Sequence, residues 1–377
     1  MTSDTFGSIN SIIERDAADT PYKYSLLHSV IECCQEYPQF ARSGSGDHEG
    51  RVVFPVGILV MKWLMYYYPF FLPGRFIILK KGESEERPKL AFREPFEKVA
   101  GYYAMHGGLS VFYDDLICGS VPTEMKGVVA SLVNKIRSTI VDKPMRHLGY
   151  SQSKREYSVF RLVESSIPVR KADQIDLRLL IERCGSFSIS SELYGVFRDL
   201  GGFILGDGCV SAKWVDFLER LNHDAGVSEG ELMERFSMAV VSERNVDAAR
   251  VFFRDFVLTG DLCCVWSGRQ LSLCSLAVDH LLPFSLWHCN DLWNLVPSDA
   301  GVNLRKSDKI PVGSFLCERK EMIVGCWRLM YAEFPVRFSR EISLGLLGGE
   351  FGEGWEEEAF ASLCRIAEYL VGVRGYE

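Results

Sequence analysis

A chain of 377 residues, 47% hydrophobic and 24% charged, suggests two or three ordinary globular domains and needs no disulfide staples. Its 12 cysteines are scattered through apolar stretches such as Cys33-Cys34 and Cys263-Cys264, and its first residues are polar and acidic. That excludes a disulfide-rich secreted class and predicts a reduced, cytoplasmic setting. The net charge of −8 excludes a uniformly basic nucleic-acid binder, but a polyanion responds to local potential within about a Debye length, ~8–10 Å.

Residues 1–20 are polar and predict a frayed start. From Tyr22 to Tyr37 the positions Tyr24, Leu26, Leu27, Val30 and Ile31 recur at helical spacing and predict an amphipathic helix. Residues 41–50 (ARSGSGDHEG) have loop composition. The apolar run from Phe54 to Leu79 carries Lys62 and Arg75 and is broken by Pro69 and Pro73. It therefore reads as a buried helix over about Gly57–Tyr68, a turn and a short strand, and no membrane span is expected. Helical patterns follow at Phe96–Ala104 and Glu124–Ile140, with mixed strand and helix over Tyr157–Arg183.

The segment Lys135–Lys171 holds nine Lys and Arg (Lys135, Arg137, Lys143, Arg146, Lys154, Arg155, Arg161, Arg170, Lys171) against Asp142, Glu156 and Glu164, a local +6. This is either a nucleic-acid contact or an ordinary solvated basic surface. Gly201–Gly208 (GGFILGDG) has neither GxGxxG nor a GK[ST] ending, so it reads as a linker or hairpin rather than a phosphate cradle. Helical patterns resume at Ala212–Asn222, Glu229–Val240 and Glu243–Phe256, with Ser228 and Glu231 in the form of a capping box. Leu262–Trp266 and Leu271–Asp279 read as short strands, Asp299–Lys306 as a short helix, and Val312–Tyr331 and Trp355–Val371 as closing helices. The fold class is α+β, mainly helical, with a small ββα insert near residue 260. The expected divisions are an N-terminal recognition or regulatory region (1–200), a helical connector (209–258), the ββα module (259–315) and C-terminal helices packed on it (316–377).

The chemistry is concentrated between Cys264 and Pro311. Asp279-His280 closes a predicted strand, Asn294 follows 14 residues later and Asn303 nine after that. The Asp279 carboxylate is a hard oxygen donor suited to Mg²⁺ or Mn²⁺, and the His280 imidazole can take a proton from water. Asn303, on the helix that faces the strand, supplies a second oxygen and leaves positions for water and a phosphate oxygen. His288 reads as a solvated loop residue, His223 as a surface residue, and His147, beside Arg146, as either a phosphate contact or a surface residue. Glu356-Glu357-Glu358 opens a helix, where acids complement the dipole.

The blocks D-H-L-L-P-F-S, W-N-L-V-P and N-L-R-K-S-D-K-I-P resemble the HNH family of ββα-metal endonucleases over about 50 of the 377 residues. The last block is similar to the HNH domain of RNA-guided CRISPR effectors. The Tyr22-Lys23-Tyr24-Ser25-Leu26-Leu27 start is similar to bacterial HNH proteins of the restriction and defence type. The resemblance implies His280 as general base and Asp279 and Asn303 as metal ligands. It also implies Asn294 as a brace that holds His280, and Lys306 and Arg305 as groups near phosphate. It implies hydrolysis of DNA, a homodimer if both strands are to be cut, and a partner protein of a defence system. A catalytically silent HNH fold and an RNA-directed nuclease are the alternatives. Many such modules carry two CxxC pairs on zinc. Here the sequence reads Cys264-Val-Trp-Ser267 and Ser298-Asp-Ala-Gly-Val302, so no structural zinc is expected. Cys263, Cys264, Cys274 and Cys289 read as packing residues, with Trp266, Leu273 and Trp293 giving the apolar support.

Overall fold

The computed structural model describes residues 20–148, 159–205, 210–240, 246–259, 262–287 and 290–374. Its contacts divide the chain into two compact units, Met1–Val240 and Val241–Glu377. Lys154, Arg155, His288, Cys289, Gly206–Gly208 and the polar residues 1–19 lie outside the described residues.

In the first unit, helix α1 (Tyr22–Glu36) is followed by strands β1 (Arg42–Ser43) and β2 (Arg51–Pro55) and by helix α2 (Val56–Tyr67). Helices α3 (Arg93–Ala104), α4 (Gly108–Cys118) and α5 (Lys126–Ile140) come next. Strand β3 (Arg161–Glu164), helix α6 (Leu177–Arg183) and strand β4 (Ser186–Ser190) lead into helices α7 (Ser191–Leu205), α8 (Val210–Asn222) and α9 (Glu229–Val240). The strands form one antiparallel sheet in the order β1-β2-β4-β3. Phe54 lies opposite Phe187, and Phe187 opposite Leu162, so one face carries an apolar row.

Helix α1 is the centre of this unit. Leu26, Val30, Ile31, Cys33 and Cys34 are fully buried, because α2, α7 and α8 pack around them. The apolar run at Phe54 is explained by that burial, and no helix among the described residues is long and apolar enough to cross a membrane. Its Lys62 is met by Glu32 at 2.7 Å, by Glu36 and by the ring of Tyr37. Burial pushes the Glu36 carboxyl up to about 7, while Lys62 and His28 outweigh burial at Glu32 and hold it down near 2.

Two expectations need correction here. Phe76–Leu79 is extended but joins no strand: Asn222 stands in for a neighbour, its Oδ1 accepting from Ile78 N at 2.7 Å and its Nδ2 donating to Ile78 O at 2.8 Å. The first glycines of the 201–208 cluster end a helix, not a hairpin. Gly201 lets α7 approach α1 closely, since a Cβ there would stand 2.5 Å from Ile31 and 2.7 Å from Gln35. The capping box at Ser228 is half formed, with Glu231 N donating to Ser228 Oγ at 3.2 Å while the Glu231 carboxylate pairs with Arg75 and Arg235. The stretch 209–258 is shared between the units: α8 and α9 pack on α1 and α2, and the next helix belongs to the second core.

The second unit comprises helix α10 (Asp247–Thr259), strand β5 (Leu276–His280), a short helix α11 (Phe284–Trp287), strand β6 (Leu295–Asp299) and helix α12 (Ala300–Lys306). Helices α13 (Gly313–Glu333), α14 (Pro335–Ile342) and α15 (Trp355–Arg374) complete it. Its core joins Phe253, Trp293, Leu295, Trp327, Phe338 and Leu363. Trp327 Nε1 donates to Trp293 O at 2.7 Å, and Gly345 makes room for the Trp293 ring, which a Cβ there would meet at 2.4 Å. At the start of α15, Glu356 pairs with Arg328 and Glu357 with Lys320.

Candidate active site

The ββα unit consists of β5, β6 and α12. Of the strands expected at Leu262–Trp266 and Leu271–Asp279, it uses only the end of the second. Residues 265–267 form a turn, with one bridge between Cys263 and Gln270, and only the end of the second segment is a strand. Strand β6 pairs antiparallel with β5, placing Asp279 opposite Val296 and His280 opposite Leu295. Its Pro297 is tolerated because that residue's backbone faces the outer edge, where Pro297 O accepts from Val265 N at 3.0 Å. Asp299 then caps α12, its Oδ1 accepting from Gly301 N at 3.0 Å and Val302 N at 3.2 Å.

Asp279 is 5% exposed, and protein donors meet both of its oxygens. Trp266 Nε1 donates to Oδ2 at 2.6 Å. His280 N donates to Oδ1 at 2.7 Å. Lys306 Nζ lies 3.4 Å from Oδ1, donates to His280 O at 2.9 Å and sits 5.4 Å from the Trp266 ring centre. Burial lowers the Lys306 ammonium below the usual lysine range, and the attraction of Asp279 offsets part of that.

The His280 ring stands at the end of β5. There Nε2 donates to Asn290 Oδ1 at 3.0 Å, and Phe284 packs with its ring centre 5.6 Å away. A proton on Nε2 leaves Nδ1 as the basic nitrogen of the neutral ring. Asn294 is fully buried and braces the chain just after His280. Its Oδ1 accepts from Leu282 N at 2.8 Å and its Nδ2 donates to Leu282 O at 3.1 Å, while its own carbonyl accepts from Leu281 N at 2.8 Å. It thus fixes the backbone that carries His280, and the contact to the His280 ring is made by Asn290.

Asn303 lies three residues before Lys306 on α12, which packs on β5, and is half-buried. Arg305 is exposed. No group of three or more His, Cys, Asp and Glu side chains among the described residues is placed to hold a metal. The donors offered are hard oxygens, the Asp279 carboxylate and the Asn303 amide, and an ammonium already stands against Asp279 as a cation would. That set suits a divalent ion that keeps most of its water, as Mg²⁺ does.

Sequence reasoning overlooked several residues. Trp266 is more than apolar support, because its indole N–H holds Asp279. Leu273, expected beside it, is 47% exposed and supports nothing. Asn290 carries no motif signal. Glu341, on α14, is buried under the same loop, accepting from Leu292 N at 2.6 Å and from Arg337 Nε at 2.7 Å. Burial, with the Asp291 charge adding to it, pushes the Glu341 carboxyl up to about 8. At the place of the first CxxC pair, Cys264 Sγ accepts from Ser267 N at 3.4 Å and lies 3.8 Å from Ser298 Oγ. Burial pushes its thiol up, but these hydrogen bonds prevail and hold it below the usual cysteine range.

Among the described residues of the basic segment, some are engaged within the fold and others are exposed. Arg137 Nε donates to Cys184 O at 3.4 Å, and Arg146 pairs with Asp142 at 3.5 Å. Lys143 and His147 are exposed, and Lys135 is half-buried.

No curated protein and no solved structure matches the chain. The family described as HNH endonuclease matches residues 264–312, the stretch that holds Trp266, Asp279, His280, Asn290, Asn294, Asn303 and Lys306. Nothing in these matches bears on a restriction, defence or CRISPR-effector type. A second match, described as Domain of unknown function (DUF8808), spans residues 2–236, more than half of the chain. The chain therefore belongs to the Domain of unknown function (DUF8808) family and joins that domain to an HNH endonuclease domain.

Proposed function

We propose that the protein is a metal-dependent endonuclease that hydrolyses DNA phosphodiester bonds at the end of strand β5. The observation that carries this reading is the buried Asp279 at the end of β5, met by Lys306 of α12 and followed by His280, whose adjoining backbone Asn294 braces. His280 is the general base: with Nε2 directed at Asn290, Nδ1 takes the proton of the attacking water. Asn294 keeps the segment after His280 from shifting, so the base meets the water in a fixed position. Asp279 and Asn303 would hold a divalent ion, Mg²⁺ or Mn²⁺, which would supply charge stabilisation at the scissile phosphate. Trp266 fixes the Asp279 carboxylate from behind. Lys306 and Arg305 meet the substrate phosphate.

The DUF8808 domain selects the target in this reading, with Lys135, Lys143 and Arg146, and Lys154 and Arg155 beyond the described residues, as backbone contacts. Arg137 serves the fold first, through Cys184. One HNH site cuts one strand, so double-strand cleavage requires a homodimer or two events. A cytoplasmic role in restriction or anti-phage defence, with a partner protein, is the finer form of the proposal. It is supported by the likeness of Tyr22–Leu27 to helices of that type.

The test is incubation of the full chain with supercoiled plasmid in Mg²⁺, Mn²⁺ or EDTA, followed by end analysis. Metal-dependent nicking with 5′-phosphate and 3′-hydroxyl ends is expected, and Asp279→Ala should abolish it. Cleavage of RNA but not DNA would move the reading to an RNA-directed nuclease. Silence on plasmid and on modified phage DNA alike would leave a nucleic-acid-binding module.

A further inference from the structure

The position of Lys306 raises a question the metal-dependent reading does not answer by itself. Its ammonium stands 3.4 Å from the very carboxylate oxygen, Asp279 Oδ1, that also takes the His280 N–H, and it is anchored by His280 O at 2.9 Å. Oδ2 is engaged by Trp266 Nε1 at 2.6 Å, a donor fixed in the core and stacked on Phe315. Of the donors on Asp279, His280 N belongs to the backbone of β5 and Trp266 to a packed turn. Lys306 alone is a flexible side chain on the last turn of a helix, with four carbons to swing on.

We propose that Lys306 is the resident counter-ion of the site, and that a divalent metal binds by displacing its ammonium from Asp279 Oδ1. This inference rests on the metal-dependent reading above. With neither metal nor lysine the buried carboxylate would face no opposite charge, which is costly at 5% exposure, so the lysine keeps the empty site folded. When a divalent cation arrives the two positive charges cannot share one oxygen, and the ammonium leaves Oδ1. The freed lysine remains on the Asn303 face of α12, one helical turn away from that amide, where a phosphate oxygen would neutralise it. Metal and substrate binding are thereby coupled: the metal releases the lysine, and the phosphate takes it up.

The experiment is Mn²⁺ calorimetry on the full chain, wild type against Lys306→Gln, with Asp279→Ala as the control for site binding. Removing the competitor should tighten Mn²⁺ binding by about tenfold, the scale of one charge-assisted hydrogen bond returned to the metal. Because Lys306→Gln could loosen the module, a second measurement uses the wild type only. The side-chain signal of Lys306, labelled at its ε carbon and assigned by its loss in Lys306→Arg, should shift on saturation with Mg²⁺. Equal or weaker Mn²⁺ affinity in Lys306→Gln, with a Lys306 signal that ignores Mg²⁺, overturns the inference and leaves the nuclease reading standing if plasmid is still nicked. No Mn²⁺ binding by either protein overturns the metal-dependent reading, and the counter-ion with it.

Discussion

Asn294→Ala is the substitution whose effect the geometry specifies most tightly. The side chain is fully buried and makes a pair of hydrogen bonds to one residue, accepting from Leu282 N at 2.8 Å and donating to Leu282 O at 3.1 Å. Leu282 is itself fully buried, so truncation strands both backbone groups where no water reaches them. An orphaned buried donor or acceptor costs about 1–3 kcal/mol, so the pair amounts to roughly 2–6 kcal/mol. That is a large part of the ~5–15 kcal/mol that holds a domain together. Asn294→Asp keeps the acceptor for Leu282 N but turns a carboxylate oxygen on Leu282 O, so at neutral pH it should be no better than alanine. Acid should partly rescue it, since the protonated acid can donate. Because the chain has two units, a single melting curve mixes their transitions. Hydrogen exchange on peptides covering residues 276–294 isolates the loop. Asn294→Ala should lose protection there, keep it in α1 and α2, and lose nicking activity in step. Unchanged exchange at Leu281 and Leu282 would refute the bracing role.

Further outcomes follow from the same contacts. Glu341, pushed up to about 8, holds a proton in the folded state that an unfolded glutamate releases near its ordinary value of 4.5. Its contribution is therefore complete below that value and is lost as pH rises through 8, with a slope of up to about 1.4 kcal/mol per pH unit in denaturant titrations of the second unit. Glu341→Gln should flatten that slope, and an unchanged profile would remove Glu341 as its source. Lys62→Met strands Glu32 and Glu36 in the core of the first unit and should cost about 3–5 kcal/mol, as urea titration would read. A loss below 1 kcal/mol would mean the network is not held by the lysine. Ser307, with φ 48° just after Lys306, is the one non-glycine residue with positive φ among the described residues. Ser307→Gly should stabilise the module by about 1 kcal/mol in thermal melts, and destabilisation would show that the hydroxyl outweighs the strain.

The legible parts of this chain were those with local signals. Helix α1 stands where the Tyr22–Ile31 spacing puts it, and α9 and α12 begin within a residue of the expected positions. Asp279 and His280 lie at the end of β5, Asn294 in the turn just before β6, and Asn303 on α12. What escaped was decided at a distance. Strand β6 contains Pro297 and reads as a turn until its outer edge is seen to face Val265. Leu262–Trp266 looks like a strand by its apolar run, but Cys264, Val265 and Trp266 are buried where the chain turns behind Asp279. Strand β4 is too short for a periodic signal and owes its burial to β2 and β3 on either side. Glu341 meets the loop from 49 residues beyond Leu292, and no local pattern connects them. Asn290 lies between motif blocks, and its value depends wholly on the orientation of the His280 ring.

The central claim is that His280 activates water for phosphodiester hydrolysis. Its most direct measurement is the rate of nicking of supercoiled plasmid in saturating Mg²⁺ by the wild type and by His280→Ala, after circular dichroism has shown both to be folded. The account expects the wild type to nick and His280→Ala to lose at least about a hundredfold, the usual share of a general base, with partial recovery on adding imidazole. Equal rates for the two proteins would contradict it.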